Sequence, residues 1–360
     1  MDLLHITKRI HLLRRVPEHH LREAFEVAAR IFTIGKGEIL LVEGEVDDSL
    51  LLIMEGQVEV VHGDPPVQLA QLGIGELVGE MALFDTGGKR SATVRTLTEC
   101  RIILMDGQGM QNLRDRDNTV VPLLEHAAIR SQGRRLRQMN EQITRLAAGT
   151  PLESSSPDGL FSRLKGMFGG GGFDPNPKEP APDPLEVLKT SGPFKNMPED
   201  QLEALAARLE VVPAPKGSFI IQEGDYGSDA FILAQGKIHV HRATMTQQHE
   251  KIAELGPGSF FGVLSLIHGS NRSATCQAVE PCWLLKLTQE TYADLQKGLS
   301  ASDRAFRQAL YLALARQLEQ ANDHVAFLVR TLVGKRNIGD EETKAYKLAM
   351  SGLTTYSGEV

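Results

Sequence analysis

One stretch of the chain carries residues whose types and order suit the binding of a small anion. It begins Gly79-Glu80-Met81-Ala82-Leu83-Phe84, continues through Asp85–Lys89 and closes on Arg90-Ser91-Ala92-Thr93. A buried monoanion such as a phosphodiester needs a cation and hydrogen-bond donors to replace its water. Arg90 offers a planar fork of donors for phosphate oxygens. Gly79 lets backbone approach closely, and Ser91 adds a hydroxyl donor. Residues 80–84 are predicted to form one helical turn, whose leading amides favour negative charge. The competing interpretation is a surface Glu–Arg pair, which is worth little energetically.

A second stretch has the same order with one break. It reads Gly262-Val263-Leu264-Ser265-Leu266-Ile267, then His268-Gly269-Ser270-Asn271, then Arg272-Ser273-Ala274. Arg272 and Ser273 match Arg90 and Ser91, but Val263 stands where Glu80 stands. The wider sequence repeats as well. KGEILLVEG (36–44) matches KGSFIIQEG (216–224), and Gly56 matches Gly236. LGIGELVGEMAL (72–83) matches LGPGSFFGVLSL (255–266). The spacing between copies changes only at likely loops, which marks two copies of one fold.

Each copy must position its stretch on a β framework. Gly37, Gly44, Gly56, Gly73, Gly75 and Gly79 punctuate short apolar runs: 39–42, 50–54 and 57–61. Short strands at regular spacing with glycine turns predict a sandwich or barrel. Helical segments flank the copies. Pro17-Glu18 opens HHLREAFEVAARIF and Pro198-Glu199 opens DQLEALAARLEVV, proline suiting a first helical turn. After the copies, Ile129, Gln132, Leu136, Met139, Ile143 and Leu146 recur at steps of three and four, as do Leu314, Leu318, Ala321, Val325, Leu328 and Leu332. Such seams either cover the chain's own domain or pair two chains.

The Gly-Glu-x-Ala-Leu…Arg-Ser-Ala order resembles the phosphate-binding cassette of the cyclic-nucleotide-binding domain family. The glycine framework behind it resembles that family too, over most of 17–146 and again of 194–332. The resemblance implies an α+β chain: two tandem eight-stranded β-roll (jelly-roll) domains, each with N- and C-terminal helices, joined by a flexible linker. The expected ranges are 1–147 for a domain with a competent cassette and 148–184 for a linker rich in Pro, Gly and Ser. A domain with a degenerate cassette spans 185–335, and a tail 336–360. The resemblance also implies that Gly79, Glu80, Met81, Ala82, Arg90, Ser91 and Ala92 contact a cyclic nucleotide. Glu80 would accept from the ribose 2′-hydroxyl. Family members selective for cyclic GMP often carry threonine directly after the cassette arginine. Ser91 in that place favours cyclic AMP, with cyclic GMP as the alternative. Ser131 and Arg134, on the helix that follows, are the candidate base contacts. The second set, Gly262, Val263, Arg272 and Ser273, reads as vestigial and structural; weak binding or a different anion are the alternatives.

Composition narrows the function. The chain has 360 residues, 41% apolar and 24% charged, with a net charge of −7. That balance supports a sizeable core and argues against a protein held to nucleic acid mainly through phosphates. Arg134-Arg135-Leu136-Arg137 reads as a solvated helix face. Only 28 residues follow Leu332, without the two helical patterns of a helix-turn-helix, so DNA is not the expected partner. No apolar run approaches the ~20 residues of a membrane span. Three cysteines, Cys100, Cys276 and Cys282, fit buried thiols in a reducing, cytoplasmic setting. No metal motif and no nucleophile–base arrangement stands out, so neither a metal site nor an enzyme is expected. The expected function is a cyclic AMP receptor that signals to an unidentified protein effector, with a homodimer as the expected assembly. The architecture resembles that of kinase regulatory subunits. The alternatives are a nucleotide-independent scaffold, or a transcription regulator without its own helix-turn-helix.

Overall fold

The computed structural model describes residues 10–63, 67–84, 89–148, 177, 180–243 and 249–335. Residues 149–176 of the expected linker, the tail 336–360 and residues 85–88 of the first cassette lie outside them. The chain divides into two compact units, one holding the residues up to Ala128, the other Ile129–Thr331.

In the first unit a helix α1 (Glu18–Val27) leads into eight strands: β1 (Ala29–Ile34), β2 (Ile39–Leu41), β3 (Leu50–Glu55), β4 (Val58–His62), β5 (Val67–Leu72), β6 (Leu77–Val78), β7 (Thr93–Thr96) and β8 (Cys100–Met105). They form two antiparallel four-stranded sheets, ordered β1-β8-β3-β6 and β2-β7-β4-β5. Leu41, Leu51, Ile53, Val58, Val94 and Ile102 meet in the core of this roll. Every residue from Leu50 to Met54 is buried. The alternation expected of a half-exposed strand fails there because β3 is covered on both faces. Leu51 and Ile53 face the other sheet, while Leu52 faces a helical layer that includes Leu21, Ala24, Val120 and Leu124. Helices α2 (Gly107–Asp115) and α3 (Val120–Ala148) follow β8. The Asp106 carboxylate caps α2 by accepting from the Gly109 amide at 2.6 Å.

The second unit repeats the plan. Helices α4 (Pro184–Thr190) and α5 (Glu199–Ala206) precede β9 (Glu210–Ala214), β10 (Phe219–Ile221), β11 (Ala230–Gln235), β12 (Ile238–Ala243), β13 (His249–Leu255), β14 (Phe260–Phe261), β15 (Thr275–Ala278) and β16 (Cys282–Leu287). The sheets are β14-β11-β16-β9 and β10-β15-β12-β13, the same orders strand for strand. Even the irregularities recur: β3 slips register against β8 between Ile53 and Glu55, and β11 slips against β16 between Leu233 and Gln235. A short helix α6 (Val263–His268) lies between β14 and β15, and α7 (Gln289–Lys297) and α8 (Ala301–Lys335) close the unit. The architecture is therefore two tandem β-rolls with flanking helices.

Two helical expectations are corrected. HHLREAFEVAARIF is not helical to its end: α1 stops at Val27, and Ala29–Ile34 pairs with Met105–Cys100 as β1. The second segment likewise leaves helix at Ala206 and becomes β9, paired to β16. In both, the free edge of a neighbouring strand takes residues whose local pattern continues a helix. Helix α4 is an addition that the sequence signalled only through Asp183-Pro184, a cap followed by proline at the first helical position; the Asp183 carboxylate accepts from Leu185 N at 2.9 Å. Both heptad seams are partly covered within one chain. Ile129, Leu136, Met139 and Leu314 are all buried, and the later positions of both seams lie outside the described side chains.

Candidate functional site

The first cassette is built around Arg90. The strand-to-helix step at Gly79 requires a left-handed backbone (φ +76°), which glycine adopts without strain. A side chain there would also collide with Arg90, whose Nη1 would be 2.7 Å from a Cβ. A single 3-10 turn follows, Glu80–Leu83, with Glu80 buried at its start. Arg90 is held from the backbone by the repeated Glu-Gly motif: Gly44 N donates to Arg90 O at 2.8 Å, and Arg90 N donates to Glu45 O at 2.8 Å. This pairing explains why KGEILLVEG accompanies the cassette although it lies far from it in sequence.

The Arg90 guanidinium is almost fully enclosed. Nη1 donates to the Gly79 carbonyl at 3.2 Å. Nη2 donates to the Ser49 carbonyl and, at 3.2 Å, to Ser49 Oγ. The Asp47 carboxylate lies 3.0 Å from Nη2. Burial alone would raise the Asp47 pKa. Hydrogen bonds from Ser49 N and Ser49 Oγ, both 2.8 Å, together with Arg90, outweigh it and hold the carboxyl below its usual range. The Arg90 Nε is buried and has no hydrogen-bond partner among the described residues. A buried donor in that condition is costly unless something accepts from it. Gly79, Glu80 and Arg90 are thus brought together. Met81 is half-buried, Ala92 buried and Ser91 exposed on the same segment; Ala82 sits in the 3-10 turn.

Sequence alone does not mark Asp47 and Ser49 as site residues. Their signal, Asp47-Asp48-Ser49 just before an apolar strand, is an ordinary loop composition.

The second cassette keeps the frame. Gly262 is left-handed (φ +78°), Gly224 N donates to Arg272 O at 2.9 Å, and Arg272 N donates to Asp225 O at 2.9 Å. Arg272 Nη1 donates to Gly262 O at 3.0 Å and Nη2 to Asp229 O at 2.7 Å. Val263 is buried at the start of α6. Ser273 follows Arg272 as an exposed residue.

Ser131 and Arg134 lie on the part of α3 that belongs to the second unit. There Gly133 packs against His268: a Cβ on that glycine would be 2.8 Å from Nε2. Gln132 Nε2 donates to Tyr311 Oη at 3.0 Å, and Arg137 Nη1 donates to Ser270 Oγ. Burial, reinforced by the charges of Arg130, Arg134 and Arg137, pulls the His268 pKa down from 6.5 to about 4. A histidine depressed in the folded state contributes stability above pH 6.5 that is lost as pH falls towards 4. Partial exposure discounts the effect to about 2 kcal/mol. His268→Gln should therefore flatten the acid limb of a stability–pH curve between pH 6.5 and 4. An unchanged slope would show that this ring is not the titrating group.

Cys100, Cys276 and Cys282 are free and buried, and burial pushes the Cys276 thiol up to about 12, so these thiols act as packing groups. Among the described residues no metal-binding cluster occurs, and no helix is long and apolar enough to cross a membrane.

Comparison with known proteins agrees with this geometry. The model of the cyclic nucleotide-binding domain matches residues 31–117 and again 211–297. The chain therefore carries two copies of the cyclic nucleotide-binding domain. Among particular relatives, human cGMP-dependent protein kinase 2 is 25% identical over 273 residues, which is 73% of this chain and 28% of the kinase. The cyclic AMP receptor protein of Thermus thermophilus is 31% identical over 135 residues, 38% of this chain and 61% of the receptor. The chain thus spans under a third of the kinase's length. Among solved structures, the regulatory domain of Toxoplasma gondii PKA with cAMP is similar over 82% of this chain and 92% of its own, at 17% identity and a TM-score of 0.30. The matched regions are cyclic-nucleotide-binding domains, not catalytic ones.

Proposed function

We propose that this chain is a cyclic AMP receptor that passes a ligand-dependent conformational change to a protein partner. The observation that carries it is the Arg90 guanidinium, buried beside Glu80 with its Nε unpartnered among the described residues. A cyclic phosphate would give the Arg90 Nε an acceptor, and Glu80 on the adjoining turn is the group that would accept from the ribose. Gly79, Met81, Ala82, Ser91 and Ala92 complete the contact surface. Ser91 in place of threonine favours cyclic AMP. Cyclic GMP is the second ligand to weigh, because the kinase relative is named for it. The second cassette, with Val263 at the ribose position, does not serve cyclic AMP. Calorimetry with cyclic AMP, cyclic GMP and cyclic di-GMP tests this together. The expected result is one cyclic AMP per chain, with Arg272→Ala leaving that number unchanged. Two equal sites, or preference for another of the three, would overturn it.

The working division is 1–147, a linker 148–184, 185–335 and a tail 336–360, since α3 continues unbroken to Ala148. Ser131 and Arg134 are the proposed base contacts. The chain acts as a sensor rather than an enzyme, in the cytoplasm where its thiols stay reduced, and DNA is not its target. We place a homodimer contact on α8, where Leu318 is only half-buried. Leu318→Asp should shift light scattering from dimer to monomer, whereas Leu136→Asp should unfold the second unit. A wild-type monomer at high micromolar concentration would reject the dimer.

A further inference from the structure

The two cassettes share a backbone and differ in charge around the same arginine. In the first, Arg90 is met by the Asp47 carboxylate at 3.0 Å, with Glu80 buried on the adjoining 3-10 turn. In the second, each carboxylate is gone. Gly227 stands at the position of Asp47 and Val263 at that of Glu80. Gly227 leaves no room for a side chain, since a Cβ there would lie 2.4 Å from Arg272 Nε. Asp229 replaces Ser49, but its carboxylate lies 3.3 Å from Lys286 Nζ, and it meets Arg272 through its backbone carbonyl. Among the described residues no carboxylate oxygen lies within ion-pair distance of Arg272, which is 8% exposed. Burial lowers the Arg272 pKa, with Asp229 and Cys276 opposing it in part. An enclosed guanidinium held by two carbonyls carries a charge that its surroundings have not matched.

We infer that the second roll is a working anion site of opposite ribose preference to the first: it takes a phosphate ester monoanion whose group beside the phosphate is apolar. This rests on the assignment of the first cassette to cyclic AMP. The chemistry follows from two positions. Arg272 retains the donors that a phosphate needs, and lacks the internal carboxylate that Arg90 must share them with. Val263, buried at the start of α6, offers carbon where Glu80 offers an acceptor. A 2′-hydroxyl pressed against it loses its water and gains no partner, whereas a methylene there is simply buried. The departure from the first cassette is therefore a change of specificity: Gly227 and Val263 remove two carboxylates, and the one that Asp229 brings is paired with Lys286.

The test uses the full chain with Arg90→Ala, which silences the first cassette, and compares 2′-deoxy-3′,5′-cyclic AMP with cyclic AMP by calorimetry. The deoxy ester should bind about tenfold tighter or more, the size of one lost hydrogen bond. Adding Arg272→Ala should remove that binding. Because Arg272 also ties Gly262 to Asp229, its loss can unfold the roll; Val263→Glu on the Arg90→Ala background is the second variant. It should reverse the preference towards cyclic AMP. Equal or tighter binding of cyclic AMP to Arg90→Ala, a flat titration with the deoxy ester, or no reversal by Val263→Glu would each overturn the inference. Failure of the first-cassette assignment reads differently: wild type and Arg90→Ala would then bind cyclic AMP alike.

Discussion

Arg90→Ala should abolish the tight cyclic AMP site while leaving both rolls folded. The Arg90 side chain is 5% exposed, and its guanidinium is the one cassette group able to meet two phosphate oxygens at once. Truncating one partner of an enclosed, hydrogen-bonded charge pair costs about 2–5 kcal/mol, a factor of roughly thirty to several thousand in Kd. A stability cost accompanies it, because Asp47 loses the cation 3.0 Å away and the Gly79 and Ser49 carbonyls each lose a donor. Asp47 keeps its two hydrogen bonds from Ser49 and is partly open to water, so this cost should stay near 1–2 kcal/mol. Arg90→Lys separates the two effects. It retains charge for Asp47 but not the fork, so it should fold like wild type and still bind at least tenfold more weakly. Thermal shift with saturating cyclic AMP and calorimetry read both quantities. Undiminished binding in Arg90→Ala would mean that the first cassette is not the receptor.

What was legible in the sequence is what short-range spacing encodes. The cassette order and the hairpin glycines are set by residues a few positions apart, and they predict the single helical turn that Glu80–Leu83 forms. Val263 was visible for the same reason. Contacts made across the fold were not. Nothing local in Asp47-Asp48-Ser49 says that it will surround Arg90, because the contact is made by β3 entering beside the cassette. Nothing in Gly227 alone says that Arg272 will lie over it. From sequence alone β1 and β9 look like helix ends, since ARIF and LEVV continue an apolar helical spacing and only the open edges of β8 and β16 decide otherwise. The same limit applied to α3. Its apolar seam is legible in the sequence, but its partners lie more than a hundred positions away: Gln132 donates to Tyr311, and Gly133 packs on His268.

Gly56→Val should unfold the first roll and spare the second. Gly56 turns β3 into β4 with φ +90°, a conformation that β-branched residues essentially do not adopt. Space is lacking as well as conformation. A Cβ at this position would lie 2.4 Å from the Glu99 carbonyl oxygen and 2.9 Å from Cys100 Cα, both backbone atoms of the neighbouring strand, which cannot swing aside as a side-chain tip would. Relief requires opening the β3–β8 pairing that carries Ile53 and Ile102 into the core. Strain of about 1–3 kcal/mol and the overlap together reach about 4 kcal/mol or more, comparable to the whole stability of a small domain. Gly236 is the same turn in the second roll, with φ +95° and Pro281 O at 2.6 Å from a Cβ. The sole tryptophan, Trp283, sits in β16 beside it and reports on that roll alone. In urea, Gly56→Val should therefore lose far-UV signal before denaturant is added while the Trp283 transition keeps its midpoint and slope. Gly236→Val should do the reverse, displacing the Trp283 transition and leaving cyclic AMP binding by the first roll intact. A Gly56→Val protein that binds cyclic AMP with wild-type affinity would show that this hairpin tolerates a side chain, and that the repeat of glycine at 56 and 236 answers to something other than the turn.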